Sequence, residues 1–375
     1  MRVWKRHINV LNVAMLGSLK KPVYQLPSME DIKKIKLNGY KVISTFSGCG
    51  GSSLGYKLAG YEVIWANEFI PRAAEVYKLN HNGTPINSND IRNIKPEDIL
   101  KETGLKKGEL DLLDGSPPCA SFSMSGKREK HWDEVKKYSD TKQRTDDLFL
   151  EYIRILRGLM PKVFIAENVS GLIKGTAKGH FKEFLREFKK SGYRVKCYIV
   201  NAKYLGVPQN RERVFFIGVR KDLKGDPTIP KPLPYTYTLR DAIWNLRKRK
   251  PEIDTWLDCK PDGTPFYYAT AYQWDKLSEG QQSDKFFNLI KCHWDKPCNT
   301  ITAVSGKKAA SVTHPTERRK FSIAELKRIC AFPDDFKLTG KFEQQWERLG
   351  RAVPPPVLYF ISKKIQTDIL NENTK

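Results

Sequence analysis

The chain has 375 residues, with 66 lysines and arginines against 42 aspartates and glutamates, a formal net charge of +24. Hydrophobic residues make up 40% and aromatic residues 11%, which excludes wholesale disorder, and the length allows a large core and two domains. The cationic excess selects a polyanionic partner, nucleic acid before an acidic membrane surface. The seven cysteines (49, 119, 197, 259, 292, 298 and 330) contain no Cys-x-x-Cys pair and are odd in number. Neither a disulfide framework nor a zinc site follows from that pattern, so no metal is expected and a reducing interior is. No apolar run approaches the ~20 residues of a membrane span, and Ile8–Leu16 lacks a clear signal-cleavage site.

In chain order, residues 1–38 read as a basic, weakly patterned N-terminal arm, with Met15 and Met29 as alternative starts. Residues 39–220 alternate short apolar strands with helices. Lys41–Phe46, Glu62–Ala66, Leu110–Leu113, Val163–Ala166, Val195–Val200 and Val214–Val219 read as strands. Leu54–Leu58, Pro71–Leu79, Asp147–Leu159 and Phe181–Lys190 read as helices. Such alternation predicts an α/β fold with a doubly wound, mostly parallel sheet. Over 221–300 the pattern breaks: prolines cluster at 227–234 and aromatics recur from Tyr235 to Trp294. The plain reading of those aromatics is a small hydrophobic core. Residues 301–375 regain regularity. Ser322-Ile-Ala-Glu325 has capping-box spacing and opens a helix through Ile329, and a last helix after Pro354 completes the first unit.

The loop after the first strand is glycine-rich, Phe46-Ser-Gly-Cys-Gly-Gly-Ser-Ser-Leu-Gly55. Glycines there let backbone approach a ligand and leave a helix N-terminus free. Glu68 ends the second strand, where an acid can accept from ribose hydroxyls, and Asp90-Ile91 closes the third. The spacing is not that of a dinucleotide fingerprint and no P-loop lysine follows, so a nucleoside cofactor without phosphates fits better than a bare tight turn. Cys119 lies in Asp114-Gly-Ser-Pro-Pro-Cys-Ala-Ser-Phe-Ser123, a thiol on a mount stiffened by two prolines after an apolar strand. A cysteine needing only burial requires no such mount; a nucleophile does. Glu167 ends a further strand in Ala166-Glu-Asn-Val169, where partial desolvation raises a carboxyl pKa and suits a group that shares a proton; a helix-capping acid is the simpler alternative. In Pro208-Gln-Asn-Arg-Glu-Arg-Val214, a period of two puts Arg211 and Arg213 on one face, able to hold a thiolate, a base carbonyl or a phosphate, or simply to form a solvated charge run.

Taken together and in this order, these motifs resemble the DNA cytosine-5 methyltransferases of the bacterial restriction–modification type, over roughly residues 40–365. Asp295-Lys-Pro with Thr300-Ile-Thr302, His314-Pro315 and Gly350-Arg-Ala-Val-Pro-Pro355 add the family's later segments. The resemblance implies a Rossmann-like fold that binds S-adenosyl-L-methionine, releases S-adenosyl-L-homocysteine and needs no metal. It assigns catalysis to Cys119, Glu167, Arg211 and Arg213, with Arg213 on the base carbonyl and Arg211 beside the thiol loop. It assigns the cofactor to Phe46, Gly48, Cys49, Gly51, Glu68, Phe69, Asp90, Ile91, Pro118, Leu148, Arg351 and Ala352. Double-stranded DNA is the implied partner, with the target cytosine flipped out, Ser121–Thr145 as the loop closing over it, and 221–300 as the target-recognition domain. A monomer in the bacterial cell interior, with a cognate restriction endonuclease acting on the same sequence, is the family habit. Ser44, Ala120 and Arg351 depart from the pattern, standing where relatives have an acid, a glutamine and an asparagine. A tRNA cytosine methyltransferase is the neighbouring reading, but Cys259, Cys292 and Cys298 do not open that branch's Cys-Phe-Thr signature. A non-catalytic DNA-binding regulator of the same fold is the other.

Overall fold

The computed structural model describes residues 8–10, 21–118, 136–139, 141–143, 145, 147–174, 178–247, 249–260, 264, 269–303 and 311–374. Cys119, Ala120 and most of the Ser121–Thr145 stretch lie outside the described residues. One large sheet organises the chain. Its strands lie side by side in the order Ile8–Val10, Tyr193–Asn201, Glu212–Arg220, Val163–Val169, Leu112–Gly115, Lys41–Thr45, Glu62–Asn67 and Ile86–Asn87. From Lys41–Thr45 the chain steps outward to Ile86–Asn87, then returns to the other side of its starting strand as Leu112–Gly115. That reversal opens a crevice at the carboxyl edge, between the loops that follow Thr45 and Gly115, where sheets of this kind bind ligands.

Side-chain alternation covers both faces. Val42, Val63, Leu112, Val163 and Ile165 pack with Tyr56, Leu358 and Ile361 from helices Gly51–Leu58 and Pro355–Ile365. Ile43, Trp65, Leu113, Phe164 and Ala166 pack under helices Leu148–Leu159 and Lys178–Lys190. Asp114 and Gly115 pair with Ile165 and Ala166, so the strand expected at Leu110–Leu113 lies at Leu112–Gly115. Hydropathy stops at Leu113; the ladder does not.

Glu212–Arg220 is antiparallel to both neighbours. Only residues 202–211 join it to Tyr193–Asn201, too few for the parallel crossover of about a dozen residues or more. A reversed strand begins where the parallel ones end. Arg211 and Arg213 therefore reach the carboxyl edge from the start of their strand.

Part of the expected N-terminal arm is structured: Ile8–Val10 pairs parallel with Tyr193–Asn201, and Ser28 caps a short helix, Met29–Lys33. Within 221–300, Leu257, Ala271, Trp274 and Leu289 form a small core of their own. Cys292, Trp294 and Cys298 instead join a cluster with Leu239, Ile243, Ile301, Phe321 and Trp346, which runs across the 300/301 line. Ser322 caps helix Ile323–Ile329 as its spacing predicts, Glu325 returning the bond at 2.8 Å. That same buried carboxylate takes a two-pronged pair from buried Arg319 at 2.7 and 2.9 Å. Arg319→Met leaves the buried acid without its cation and should cost about 3–5 kcal/mol. Ser322→Ala removes only the cap and should cost about 1 kcal/mol. Urea denaturation of both variants checks the ranking, and equal losses would contradict it.

Candidate active site

At the carboxyl edge lies a cavity of about 770 Å³, within the usual range for a small-molecule site. Phe46, Gly48, Cys49, Gly51, Glu68, Phe69, Asp90, Ile91, Pro118, Leu148, Arg351 and Ala352 line it, together with Glu167, Arg211 and Arg213. Ser116, Pro117 and Pro118 carry the chain along its wall to the residue before Cys119, and Asn168 donates to the Pro117 carbonyl at 3.3 Å.

The glycine loop leaves its strand through Phe46 in left-handed backbone, φ +53°. Gly48 follows at φ +57°, and a Cβ placed there would meet nothing within 4 Å. Its N–H and that of Ile70 both donate to the Glu68 carboxylate at 2.7 Å. Burial nonetheless holds the Glu68 pKa above the ordinary value. Gly51 has a different constraint: a Cβ there would lie 2.3 Å from the Val353 carbonyl oxygen, so the helix N-terminus and the C-terminal Ala352-Val353 segment touch backbone to backbone. Burial pushes the Cys49 thiol up to about 12, which makes it a packing residue rather than a nucleophile. Asp90 caps the turn Ile91–Asn93 and pairs with Arg92 at 2.9 Å, while Arg92 also grips Asp147 at 2.6 Å. Arg92 carried no signal in the sequence. Acids rather than lysines face this half of the cavity, beside apolar Phe69, Ile91 and Leu148. The Glu68 and Asp90 carboxylates are acceptors that fit the free hydroxyls of a nucleoside.

In the other half, Arg213 Nε meets Glu167 Oε1 at 3.1 Å across adjacent antiparallel strands. Burial raises the Glu167 pKa, against the pull of Arg213 and Arg211. Arg211 is buried, and its guanidinium donates to the carbonyls of Ile301 and Gly350 at 3.0 Å each. Burial, then the charge of Arg213, lowers its pKa to about 9, still protonated at neutral pH. Where the sequence reading sets Arg211 beside the thiol loop, its observed bonds hold backbone together. The cavity also receives Thr300 and Thr302 from the return segment, Tyr138 from the Ser121–Thr145 stretch, and Arg348, Phe287 and Asn288, which no motif marked.

Residues 40–367 match the model of the C-5 cytosine-specific DNA methylase family. The chain belongs to the C-5 cytosine-specific DNA methylases. It is 33% identical over 365 residues to the type II methyltransferase M.NgoPII of Neisseria gonorrhoeae, covering 90% of this chain and 98% of that one. It is 32% identical over 364 residues to M.FnuDI of Fusobacterium nucleatum, covering 88% and 96%. Among solved structures, a prophage-encoded E. coli protein described as a DNA modification methyltransferase superposes with a TM-score of 0.70 at 23% identity, covering 89% of this chain and 100% of that one. The S. pombe Dnmt2 methyltransferase does so at 0.62 and 17%, covering 88% and 98%. Those two share the fold. The methylase transfers a methyl group from S-adenosylmethionine to C5 of cytosine in double-stranded DNA, by the covalent cysteine chemistry generic to the family.

In this methylase the departure at Ser44 has a partner. Ser44 and Asp114 are register neighbours on adjacent strands, and the buried serine donates to Asp114 Oδ2 at 2.9 Å. Tyr56 donates to the other oxygen at 3.0 Å. The buried carboxyl at this point of the sheet is carried by Asp114 on the neighbouring strand. Burial lifts Asp114 to about 7, with Glu167 adding repulsion, while the two hydroxyls pull it down. A carboxyl raised in the folded state contributes stability that is full below its ordinary value of 3.8 and lost as pH climbs to about 7. Asp114→Asn should therefore gain stability relative to the parent between pH 4 and 7, read by denaturant titration at each pH. A parallel pH dependence in both proteins would contradict the buried acid.

Proposed function

We propose that Cys119 is the nucleophile and that Glu167 and Arg213 hold the target base in the cavity. The Glu167–Arg213 pair, in the same cavity as the Pro117-Pro118 mount and the Gly48 loop, carries this reading. Cys119 lies outside the described residues, so its assignment rests on the motif and on Pro118, which precedes it in the cavity wall. Cytosine C5 is a weak nucleophile. Addition of the Cys119 thiolate to C6 makes it an enamine carbon, while charge gathers on N3 and the base carbonyl. Glu167, its pKa raised by burial, can keep a proton for N3 and accept from the exocyclic amine. Arg213 faces the base carbonyl and orients Glu167. When bound, the cofactor supplies an electrophilic methyl group. Water then takes the C5 proton, and the C5–C6 double bond re-forms as the C6–S bond breaks and the Cys119 thiolate leaves. Gly48 gives backbone approach, Glu68 and Asp90 accept from the nucleoside, and Phe69, Ile91 and Leu148 flank it.

Residues 221–300 serve as the target-recognition domain in this reading. Exposed Trp244, with Arg240 and Arg247 guanidiniums 4.7 and 4.3 Å from its ring, and exposed Tyr272 and Phe287 support a DNA-facing surface. Buried Trp274 packs in the region's own small core, while Trp294 joins the cluster that crosses into the return segment. The relatives' type II names, with the chain spanning nearly all of their length, support a modification enzyme paired with a cognate restriction endonuclease. Among the described residues no helix is long and apolar enough to cross a membrane, and we read the enzyme as a monomer of the bacterial cell interior, at the DNA.

Bisulfite sequencing of a plasmid from cells expressing the chain should show 5-methylcytosine in one sequence word. Cys119→Ser should abolish it. Glu167→Gln should slow single-turnover transfer about 10²–10⁴-fold while leaving duplex binding intact. With the parent, transfer should fall as pH rises through the raised Glu167 pKa. Full activity in the Cys119→Ser protein would end this assignment.

A further inference from the structure

Across the cavity from the base half, a small hairpin meets the last turn of a helix. Lys136–Tyr138 and Thr141–Gln143 pair antiparallel, with Tyr138 opposite Thr141. The hairpin is the end of the segment that starts at Cys119. Its Tyr138 ring lies beneath the Arg351 guanidinium, 4.1 Å from carbon to centroid. Arg348, three residues earlier on helix Phe342–Arg351, donates to the Ser139 hydroxyl. Glu347 braces both guanidiniums, at 2.7 Å from Arg351 Nε and 3.1 Å from Arg348 Nη2. One carboxylate thus sets two cations, and each holds one residue of the hairpin. Tyr138, Arg348 and Arg351 all line the cavity with Glu68. Burial raises the Tyr138 pKa, so the ring stays a neutral phenol and the contact is a cation on a π face rather than an ion pair. The asparagine that the family resemblance implies at position 351 would have neither the reach nor the charge to cover that ring.

We propose that Tyr138 and Arg351 form a clasp that shuts the cofactor cavity, with Arg351 as a positioning residue that ties cofactor retention to the root of the nucleophile segment. This rests on reading the cavity as the cofactor site. The hairpin comes off to admit the cofactor and goes back on to hold it, so the clasp governs how fast the ligand leaves.

The test is the dissociation rate of labelled S-adenosylhomocysteine from the full chain, without DNA. Tyr138→Ala and Arg351→Met should each speed release about 3- to 30-fold, the range a desolvated cation–π contact commands. The double variant should release no faster than the faster single one, because the two residues act as one contact. Tyr138→Phe, which keeps the ring, should restore slow release. Should Tyr138→Ala fail to fold, Arg351→Asn reads the same rate. Unchanged release in Arg351→Asn, or full additivity in the double variant, overturns the clasp. Glu68→Ala separates the two levels: it should abolish binding, and intact binding there would remove the cavity reading itself.

Discussion

The carboxyl edge of the sheet depends on one buried guanidinium. Arg211 donates to the Ile301 carbonyl, at the start of the return segment, and to the Gly350 carbonyl, at the end of the helix before Ala352-Val353. Three stretches far apart in the chain thereby become one wall. The cation is buried and its bonds are to carbonyls, so each is charge-assisted and removing the group would leave buried acceptors unmet. The closeness of this wall is felt at Gly51, where the Val353 carbonyl approaches so near that no side chain fits at the helix start. The geometry exists because Glu212–Arg220 runs backwards, delivering its first residues to the edge where the parallel strands finish.

Along that edge, Glu68, Asp114 and Glu167 are all lifted by burial, yet each is held by different chemistry. Glu68 is held by backbone N–H groups, Asp114 by the hydroxyls of Ser44 and Tyr56, Glu167 by a guanidinium. Backbone donors fix a carboxylate in place without adding charge. Donating hydroxyls favour the anion too, but without a charge, so burial still lifts Asp114 to about 7. A guanidinium favours the anion and orients it, against the desolvation that favours the acid. One sheet edge can therefore offer an acceptor for a nucleoside, a structural acid and a group that handles a proton, with the same side-chain type differentiated by its neighbours.

The cavity joins pieces of different origin. The nucleoside half is built from loops that directly follow strands, so its residues are close in sequence to the sheet that places them. Tyr138, Thr300, Thr302, Arg348 and Arg351 complete the cavity lining, brought in by a hairpin, a return segment and a helix end. Arg351 also explains a departure from the family pattern, since its guanidinium has the Tyr138 ring and the Glu347 carboxylate to engage. Ser44 is explained in the same way, by Asp114 across the ladder.

By itself the sequence determined the α/β class and most strand and helix positions, and it singled out Gly48, Glu68, Cys119, Glu167 and Arg213 as candidates for the chemistry. Those signals are local: period-two apolar runs, glycines after a strand, prolines before a thiol, Ser322 and Glu325 at capping distance. The tertiary structure alone decided the reversal of Glu212–Arg220, the edge strand Ile8–Val10, the role of Arg211 in the wall, and the contacts of Asp114, Arg92, Tyr138 and Arg348. Each of these is a meeting between residues distant in the chain, or a strand's direction set by the length of its connection. Hydropathy and spacing report how a segment presents its faces, not which distant segment will come to rest against them.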